Sequence, residues 1–543
     1  MTTGKDPMIP DGKVNPIDTD YQIGQDNIVV KLGPFGLDIH NRVFLISGLA
    51  IIAFVAITLA FGSYAGPAFA ALRNSLTANL DWFFISAANI FVLLCLVLII
   101  SPLGKVRLGG TEAIPDFSYV GWFSMLFAAG MGIGLMFYGV SEPLTHFGTA
   151  LNGVEFADGV RVDWAPLGAA AGDTAAAAKL GMAATIFHWA LHPWAIYAIL
   201  ALGLALFSFN KGLPLTIRSV FYPILGERVW GWPGHIIDIL AVFATLFGLA
   251  TSLGIGASQA SAGLHYLFGL PSGTTTEVIL VIVITALALI SVIAGLEAGV
   301  KRLSEINMLL AAMLLLFVII VGPTLAIFTG FAENVVSYVQ HLPALANPIG
   351  REDTNYSQGW TTFYWAWWIS WSPFVGMFIA RVSRGRTVRE FLISVLLIPS
   401  LACVFWMTVF GSTAIDQVVN DGYTAAVEAD LPLQLFAMLD ALPLAQISSF
   451  IAIILVIVFF ITSSDSGSLV IDTIAAGGKV NAPTVQRVFW CTFEGLVAIA
   501  LLIGGGLTAL QAMAVSTGLP FTLVLLAACI AIVKGLMSEP RVP

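Results

Sequence analysis

The sequence predicts an all-α integral membrane protein with twelve transmembrane helices. Of its 543 residues, 58% are hydrophobic and only 10% are charged, a composition typical of polytopic membrane proteins. Twelve stretches of the chain are apolar over the roughly 20 residues that a helix needs to cross a bilayer. The connections between them alternate between basic and poorly basic segments, as expected when cationic loops stay in the cytoplasm.

The predicted membrane-spanning cores are spread over the chain from residue 43 onward. Several of them exceed 25 residues, so the corresponding helices are expected to tilt or to extend beyond the bilayer. In chain order, the cores are residues 43–65, 82–103, 119–140, 178–208, 235–264, 276–297, 306–329, 360–380, 390–412, 446–474, 486–505 and 508–533.

Lysine and arginine positions orient these spans. With the N-terminus inside, the outer connections contain few of the 23 Lys and Arg residues, namely Arg73, Arg161, Lys179 and Arg351. Because positive residues accumulate in cytoplasmic loops, both termini are predicted to be cytoplasmic. The net charge of -9 gives no indication of nucleic-acid binding.

A segment before the eighth predicted span is not apolar enough to cross a membrane. Residues 332–346, AENVVSYVQHLPALA, have the pattern of an amphipathic helix lying on the outer surface. A plain extracellular connector fits the same residues equally well.

The third predicted span contains Gly130, Gly132 and Gly134 within FAAGMGIGLMFYGVSEP. Each glycine costs roughly 1 kcal/mol in a helix interior, so three alternating glycines indicate an unwound segment with exposed backbone groups. Broken helices of this kind form binding sites in transporters. Close helix packing through small residues is the alternative interpretation. A dinucleotide-binding loop is excluded because no strand precedes the motif.

The fourth predicted span, IFHWALHPWAIY, is rich in aromatic residues. At about 100° per residue in a continuous helix, Trp189, Trp194 and Tyr197 share one broad face. His188 and His192 form an i, i+4 pair that would suit zinc, but no acidic or cysteine partner is evident nearby. Structural hydrogen bonding is therefore the favoured role of the two histidines.

The eighth predicted span, within WTTFYWAWWISWSPF, carries a second aromatic group. Trp365, Trp368 and Trp371 are expected to form a stripe, with Trp367 facing elsewhere. Tryptophan normally lies at bilayer edges, whereas Trp371 is about 11 residues, or roughly 16 Å, from the outer end of its helix. Aromatic stripes often serve packing alone. Together with the glycine break, however, this cluster predicts a cage of ring faces for a methylated onium cation.

The tenth predicted span contains VFFITSSDSGSLVID, with a run of polar residues in its inner half. Thr462, Ser463, Ser464, Asp465 and Ser466 are costly in lipid and are expected to face the interior of the bundle. Oxygen ligands without sulfur or imidazole suit a hard cation such as sodium. Hydrogen bonding between helices is the alternative for part of the run.

Four motifs resemble those of the betaine/choline/carnitine transporter family: GMGIGLMFYG, FHWALHPWAIY, FYWAWWISWSPFVGMFIARVSRGRTVREF and FFITSSDSGS. The resemblance extends over nearly all of residues 42–534. It implies a leucine-transporter-like 5+5 inverted repeat preceded by two extra helices, in a homotrimer of the bacterial inner membrane. The implied segments are a cytoplasmic N-terminal segment (1–41), two accessory helices (42–118), a first repeat (119–330), a periplasmic amphipathic helix and loop (331–359), a second repeat (360–534) and a cytoplasmic C-terminus (535–543).

The resemblance also implies the roles of individual residues. The aromatic cage falls on Trp189, Trp194, Tyr197 and Trp368, with Trp371 as a further cation contact. The remaining implied substrate-binding positions are Trp367, Gly132 and Gly134. The implied sodium site uses backbone carbonyls of Ala128, Met131 and Phe459 and the hydroxyls of Thr462 and Ser463. A second sodium site would use Thr245 and Phe374, but Leu249 stands where a threonine is expected, which puts this site in question.

Within the family, two comparisons favour sodium-coupled uptake of a zwitterion such as glycine betaine or dimethylsulfoniopropionate. Proton-coupled choline carriers have an aspartate at the position of Gly134, and sodium-independent exchangers have a basic residue in the fifth span, whereas residues 236–264 contain none. Both remain alternatives. An enzyme is not expected: a hydrolase built on His188, His192 and Asp465 would lack a GxSxG motif. A channel is disfavoured because a cage implies stoichiometric binding, and no organic cofactor is expected.

Overall fold

The computed structural model describes residues 10–32, 35–163, 165–168, 170–294 and 297–542, and within them the chain is mainly helical with very little sheet. Residues 1–9 and Pro543, which belong to the predicted terminal segments, lie outside the described residues. The strands are β1 (Asn27–Leu32), β2 (Phe35–His40), β3 (Phe156–Ala157) and β4 (Val160–Arg161). The long helices are α1 (Val43–Ala60), α2 (Gly62–Ile100), α3 (Tyr119–Gly130), α4 (Ile133–Asn152), α5 (Thr174–Trp189), α6 (Leu191–Ala205), α7 (Trp232–Phe268), α8 (Thr274–Ala294), α9 (Glu297–Val321), α10 (Thr324–Leu345), α11 (Thr362–Val382), α12 (Val388–Met407), α13 (Ala445–Ala475) and α14 (Thr484–Met537).

The predicted class, an all-α membrane protein, is confirmed. Within the described ranges, nine helices are long and apolar enough to cross a membrane, or ten when the bent pair α3 and α4 counts as one span. The tryptophan-rich α11 is not among them. The last two predicted spans coincide with α14, a helix of 54 residues that is interrupted by non-helical Gly505 and Gly506. The count of twelve and the inverted repeat stay predictions.

Two boundaries differ from the prediction for clear local reasons. Helix α2 begins at Gly62, twenty residues before the predicted core, because the polar residues of LRNSLTANL hide its N-terminal half from a hydropathy pattern. The seventh predicted span ends early, at Val321, and Pro323 precedes the next helix. Residues 332–345 therefore lie in α10, a helix that begins at Thr324.

Contacts between distant segments group the connections into two ends of the molecule. At one end, the N-terminal hairpin of β1 and β2 and the C-terminus meet the connections that follow α2, α6, α11 and α13. The pairs are Asp11 with Gly109, Val106 with Arg541, Arg107 with Thr387, Asp38 with Lys479 and Lys211 with Glu539. At the other end, the pairs are Asn355 with Val162, Ser337 with Lys179 and Arg73 with Gly359. These groups coincide with the predicted inner and outer connections.

The core is formed by helices that bury apolar faces against several neighbours. Helix α14 packs against α2 and α7, while α11 packs against α6 and α7. Trp122, Trp365, Trp367 and Trp490 are among the largest fully buried side chains. As a result, α6 and α11, which carry most of the predicted aromatic site, lie in the interior rather than at the lipid-facing periphery.

Candidate functional site

A cavity of about 340 Å³ lies between the α3–α4 break, α5, α6, α11 and α13. Every predicted substrate-binding residue lines it, as do all five residues of the first predicted sodium site. The predicted residues at its walls are Ala128, Met131, Gly132, Gly134, Trp189, Trp194, Tyr197, Trp367, Trp368, Trp371, Phe374, Phe459, Thr462 and Ser463. Four motifs that are far apart in the sequence thus meet in one place.

The glycine motif interrupts the helix as predicted. Helices α3 and α4 are bent by 62°, and Gly132 between them is fully extended (φ -174°, ψ -176°). A Cβ atom at Gly132 would have nothing within 4 Å, so close packing does not explain this glycine. At Gly134, by contrast, a Cβ atom would lie 2.8 Å from the Trp189 ring and 3.1 Å from the Trp367 ring. The first residue breaks the helix, and the second makes room for the aromatic rings.

The N-terminus of α4 opens at the cavity without a side-chain cap. The first backbone N–H groups of a helix have no partner within the helix, and the dipole adds a partial positive charge there. Ile133, Gly134 and Leu135, the first three residues of α4, all line the cavity. This arrangement is suited to an anionic group such as a carboxylate.

The fourth predicted span is also broken, which the prediction of one continuous helical face missed. Ala190 is non-helical (φ -101°, ψ -117°) and separates α5 from α6. The cause lies in Pro193, which has no N–H to donate and whose ring conflicts with the carbonyl of Trp189 four residues earlier. Trp189 therefore ends α5, while Trp194 and Tyr197 lie on the first turns of α6.

The four residues of the predicted aromatic cage, Trp189, Trp194, Tyr197 and Trp368, have rings that adjoin one another at the cavity wall. The Trp189 and Trp368 ring centroids are 5.1 Å apart at an interplanar angle of 76°. Those of Tyr197 and Trp368 are 6.1 Å apart at 82°, and those of Trp194 and Tyr197 are 5.3 Å apart at 75°. Successive rings are thus nearly perpendicular, so they form the adjoining walls of a box. Such a box can present ring faces to one cation from several sides.

Hydrogen bonds to the protein fix the orientation of the indoles. Trp368 Nε1 donates to the carbonyl oxygen of His188 at 2.9 Å, and Trp371 Nε1 donates to that of Gly248 at 3.0 Å. Trp189 Nε1 donates to Oε2 of the buried Glu142 at 2.8 Å. Because these N–H groups are already bonded, the rings offer the cavity their π faces rather than hydrogen-bond donors.

The predicted stripe on α11 is wrong in one member. Trp365 does not line the cavity, and instead stacks on His192 with ring centroids 5.4 Å apart. Trp367, which was expected to face elsewhere, lines the cavity and stacks on Trp368 at 5.0 Å. At about 100° per residue, Trp367 and Trp371 differ by only about 40° around the helix, so the sequence did contain this signal.

All five residues of the first predicted sodium site lie at the cavity wall, where each would supply a backbone carbonyl or hydroxyl oxygen as a ligand. Thr462 Oγ1 donates to the carbonyl oxygen of Phe459 at 3.2 Å, and Ser463 lines the cavity beside it. Ala128 and Met131 lie at the end of α3, where the dipole adds negative charge, and the Ala128 carbonyl accepts only a 3.2 Å bond from the Met131 N–H. Carbonyl and hydroxyl oxygens at the end of a helix suit a hard monovalent cation.

The remaining polar residues of this segment of α13, Ser464, Asp465 and Ser466, have two different roles. Ser466 lines the cavity. Ser464 Oγ donates to Glu494 at 2.9 Å, and Asp465 pairs with Arg487 at 2.9 Å. Hydrogen bonding between helices therefore accounts for these two residues, as the alternative interpretation allowed.

The second predicted sodium pair does not meet at this cavity. Phe374 lines it, but Thr245 does not, and the Thr245 hydroxyl donates to the carbonyl oxygen of Ala241 at 2.7 Å. Leu249 occupies the place expected for a threonine and packs closely on Gly467. A Cβ atom added to Gly467 would lie 2.3 Å from Cδ1 of Leu249.

A buried acidic residue, Glu142, was missed from the sequence. Its Oε1 lies 2.5 Å from Nδ1 of His188 and 3.3 Å from Nε2 of His146. His192 turns to Asn89 instead, with Nε2 2.9 Å from Oδ1, so the i, i+4 pair does not converge on a zinc ion. The ligand atoms of Glu142, His146 and His188 lie within 4.8 Å of one another, and Glu142 and His188 hydrogen-bond directly at 2.5 Å. A carboxylate inside an apolar span is itself a signal of function, and GVSEP contained it.

Broken helices around a cavity inside a helical membrane protein are typical of transporters. The family model described as BCCT, betaine/carnitine/choline family transporter, matches residues 42–541, and the chain belongs to this family. The chain is 73% identical over 532 residues to a glycine betaine/proline/choline transporter of Vibrio parahaemolyticus, a match that covers 98% of this chain and 96% of the relative.

Two further relatives are similar over most of their length. Glycine betaine transporter 1 of Vibrio parahaemolyticus is 53% identical over 529 residues, which cover 96% of this chain and 97% of the relative. The glycine betaine transporter OpuD of Bacillus subtilis is 42% identical over 469 residues, which cover 86% of this chain and 88% of the relative.

Proposed function

We propose that the protein takes up glycine betaine, or a similar zwitterionic onium compound such as dimethylsulfoniopropionate, by sodium-coupled symport through alternating access. One observation carries the proposal: the cavity combines an aromatic cage with the uncapped N-terminus of α4. A zwitterion with a methylated cation and a carboxylate needs both features. The relatives named as glycine betaine transporters support the same substrate class.

The cage supports binding of the methylated cation. Methyl groups on nitrogen or sulfur offer no N–H donors, so the ring faces of Trp189, Trp194, Tyr197 and Trp368 replace hydration electrostatically. A desolvated cation gains about 2 kcal/mol or more from each well-placed ring. Four rings can therefore offset a large part of the lost hydration without an acidic side chain in contact with the ligand.

Sodium coupling is supported by the oxygen-lined wall of α3 and α13. One sodium ion that moves inward through a membrane potential supplies about 2.3 kcal/mol per 100 mV. Ala128, Met131, Phe459, Thr462 and Ser463 would provide its ligands. Because Thr245 does not line the cavity with Phe374, we propose a single sodium ion per cycle.

Uptake into proteoliposomes tests the substrate and the coupling together. With an inward sodium gradient, we expect saturable accumulation of labelled glycine betaine that unlabelled dimethylsulfoniopropionate inhibits. A pH gradient without sodium should support no accumulation. Uptake driven by protons alone would indicate a proton-coupled choline carrier. Uptake that requires only substrate inside the vesicles would indicate an exchanger.

The assembly and orientation implied by the family resemblance belong to the same proposal. We expect a homotrimer in the bacterial inner membrane with both termini in the cytoplasm. Crosslinking in native membranes would report the number of subunits. The orientation can be tested with a reporter that is active only outside the cytoplasm, fused to either terminus. Activity of such a fusion would contradict the predicted orientation.

A further inference from the structure

Behind the aromatic cage lies a buried carboxylate that the proposed function leaves without a role. Glu142 on α4 is inaccessible to solvent. Its Oε2 accepts hydrogen bonds from Trp189 Nε1 at 2.8 Å and from the Tyr364 hydroxyl at 2.6 Å. We propose that Glu142 is a positioning residue for the cage. In this role it would hold Trp189 in place and keep a negative charge behind the ring that strengthens its attraction for a cation. The inference rests on the proposed onium substrate.

The hydrogen bonds around Glu142 are those that an ionised carboxylate can accept. An indole N–H can only donate, so Oε2 is an acceptor from Trp189. His188 Nε2 lies 2.9 Å from the Thr361 hydroxyl and Nδ1 lies 2.5 Å from Glu142 Oε1, so a neutral His188 with its proton on Nδ1 would accept from Thr361 and donate to Glu142. His146 Nδ1 has no partner among the described residues, as expected when its proton is on Nε2, facing Glu142. Neutral donors and one carboxylate therefore satisfy the cluster without cancelling its charge.

The same cluster reaches the second wall of the cage through two contacts. The Tyr364 ring stacks on His188 with centroids 4.5 Å apart at 19°, and on Trp368 with centroids 6.1 Å apart at 25°. Trp368 in turn donates to the His188 carbonyl oxygen at 2.9 Å. Glu142, through Tyr364 and His188, therefore orients Trp368 as well as Trp189.

The charge acts on the ligand through the indole of Trp189. A hydrogen bond from an N–H group to an anion is stronger than one to a neutral acceptor, and it shifts electron density into the ring. The attraction of a ring face for a cation is electrostatic and grows with that density. In a cavity with little water, the field of the carboxylate is also weakly screened. Glu142 should therefore favour a positively charged trimethylammonium group over an uncharged group of the same shape.

Two ligands separate this charge effect from packing. Glycine betaine and 3,3-dimethylbutanoate have the same carboxylate and nearly the same shape, but the second has carbon in place of the quaternary nitrogen. The preference of the cage for charge is the dissociation constant of 3,3-dimethylbutanoate divided by that of glycine betaine. Both constants are measured by intrinsic tryptophan fluorescence on purified protein. We expect Glu142→Gln, which preserves volume, to reduce this ratio about tenfold. Loss of packing alone would weaken both ligands equally and leave the ratio at its wild-type value, which would overturn the inference.

Three further variants control the measurement. Tyr364→Phe removes one hydrogen bond but leaves the carboxylate, so its ratio should stay within about threefold of wild type. If Glu142→Gln does not fold, Trp189→Phe supplies the test, because it keeps a ring in the cage and removes the N–H link. Its ratio should fall further than that of Trp368→Phe, which makes the same ring change at an indole bonded to a neutral carbonyl. Equal falls in the two variants would overturn the inference. Wild-type protein that binds no betaine, or shows no preference for it, would instead contradict the proposed function.

Discussion

Replacement of Trp368 by leucine tests the cage most directly. Trp368 forms one wall of the cavity and meets the Trp189 ring edge-to-face, with centroids 5.1 Å apart. Leucine keeps an apolar side chain there but has no π face. The lost cation–π attraction is about 2 kcal/mol, or roughly a 30-fold weaker affinity. Loss of the edge-to-face contact adds about 1 kcal/mol by loosening Trp189, so the dissociation constant should rise between about 30-fold and about 150-fold.

The assay is equilibrium binding of glycine betaine to purified protein in saturating sodium, with uptake into proteoliposomes as a second measurement. Trp365→Leu is the matched control, because Trp365 lies one turn away on the same helix but does not line the cavity. We expect Trp365→Leu to lower thermal stability while leaving affinity within about threefold of wild type. Wild-type affinity in Trp368→Leu, or equal losses in both variants, would refute the assignment of the cage.

Three other substitutions give separate predictions. Gly134→Ala places a Cβ atom 2.8 Å from the Trp189 ring, so the ring must move and KM for betaine should rise about tenfold. Thr462→Ala removes a hydroxyl from the proposed sodium site, so the sodium concentration for half-maximal uptake should increase severalfold. Glu539→Ala leaves the buried ammonium of Lys211 without its partner at 2.6 Å and should reduce stability by about 3 kcal/mol, as measured by thermal unfolding in detergent.

For each of these three predictions, a specific outcome would contradict it. Gly148→Ala, on the same helix as Gly134, meets nothing within 4 Å and should leave KM unchanged, so equal effects at both positions would exclude the steric argument. Unaltered sodium dependence in Thr462→Ala would remove that hydroxyl from the site. A wild-type unfolding temperature in Glu539→Ala would show that the terminal ion pair is solvated in the protein.

The cavity-lining residues could be predicted because their signals are local. Three glycines in an apolar run indicate a break, and a dense tryptophan motif at mid-depth indicates a site, whichever partners they meet. Trp367 was assigned to the wrong face through an i, i+3 pattern, although its i, i+4 relation to Trp371 placed it on the cavity side. The break at Ala190 was also encoded locally, by Pro193 three residues later.

Glu142 could not be assigned from sequence for a physical reason. Its partners His188 and Tyr364 are 46 and 222 residues away along the chain, and only the fold brings them together. A buried carboxylate inside a predicted span is costly enough to indicate function or a tight hydrogen-bond network. Which of the two applies depends on donors that one sequence cannot locate. Thr245 is the converse case: its residue type suits the second predicted sodium site, but one sequence cannot show whether it shares a cavity with Phe374, and it does not line this one.

On the proposed function, the α3–α4 break explains why cation and substrate would bind together. Helix α3 ends at Gly130 and α4 begins at Ile133, so opposite dipole ends open on one cavity only two residues apart. The carbonyl end attracts a sodium ion, and the N–H end attracts a carboxylate. Each ligand would order the same short segment, so binding of either lowers the entropic cost for the other. This coupling is reciprocal by linkage, and sodium should therefore tighten betaine binding by the same factor as betaine tightens sodium binding.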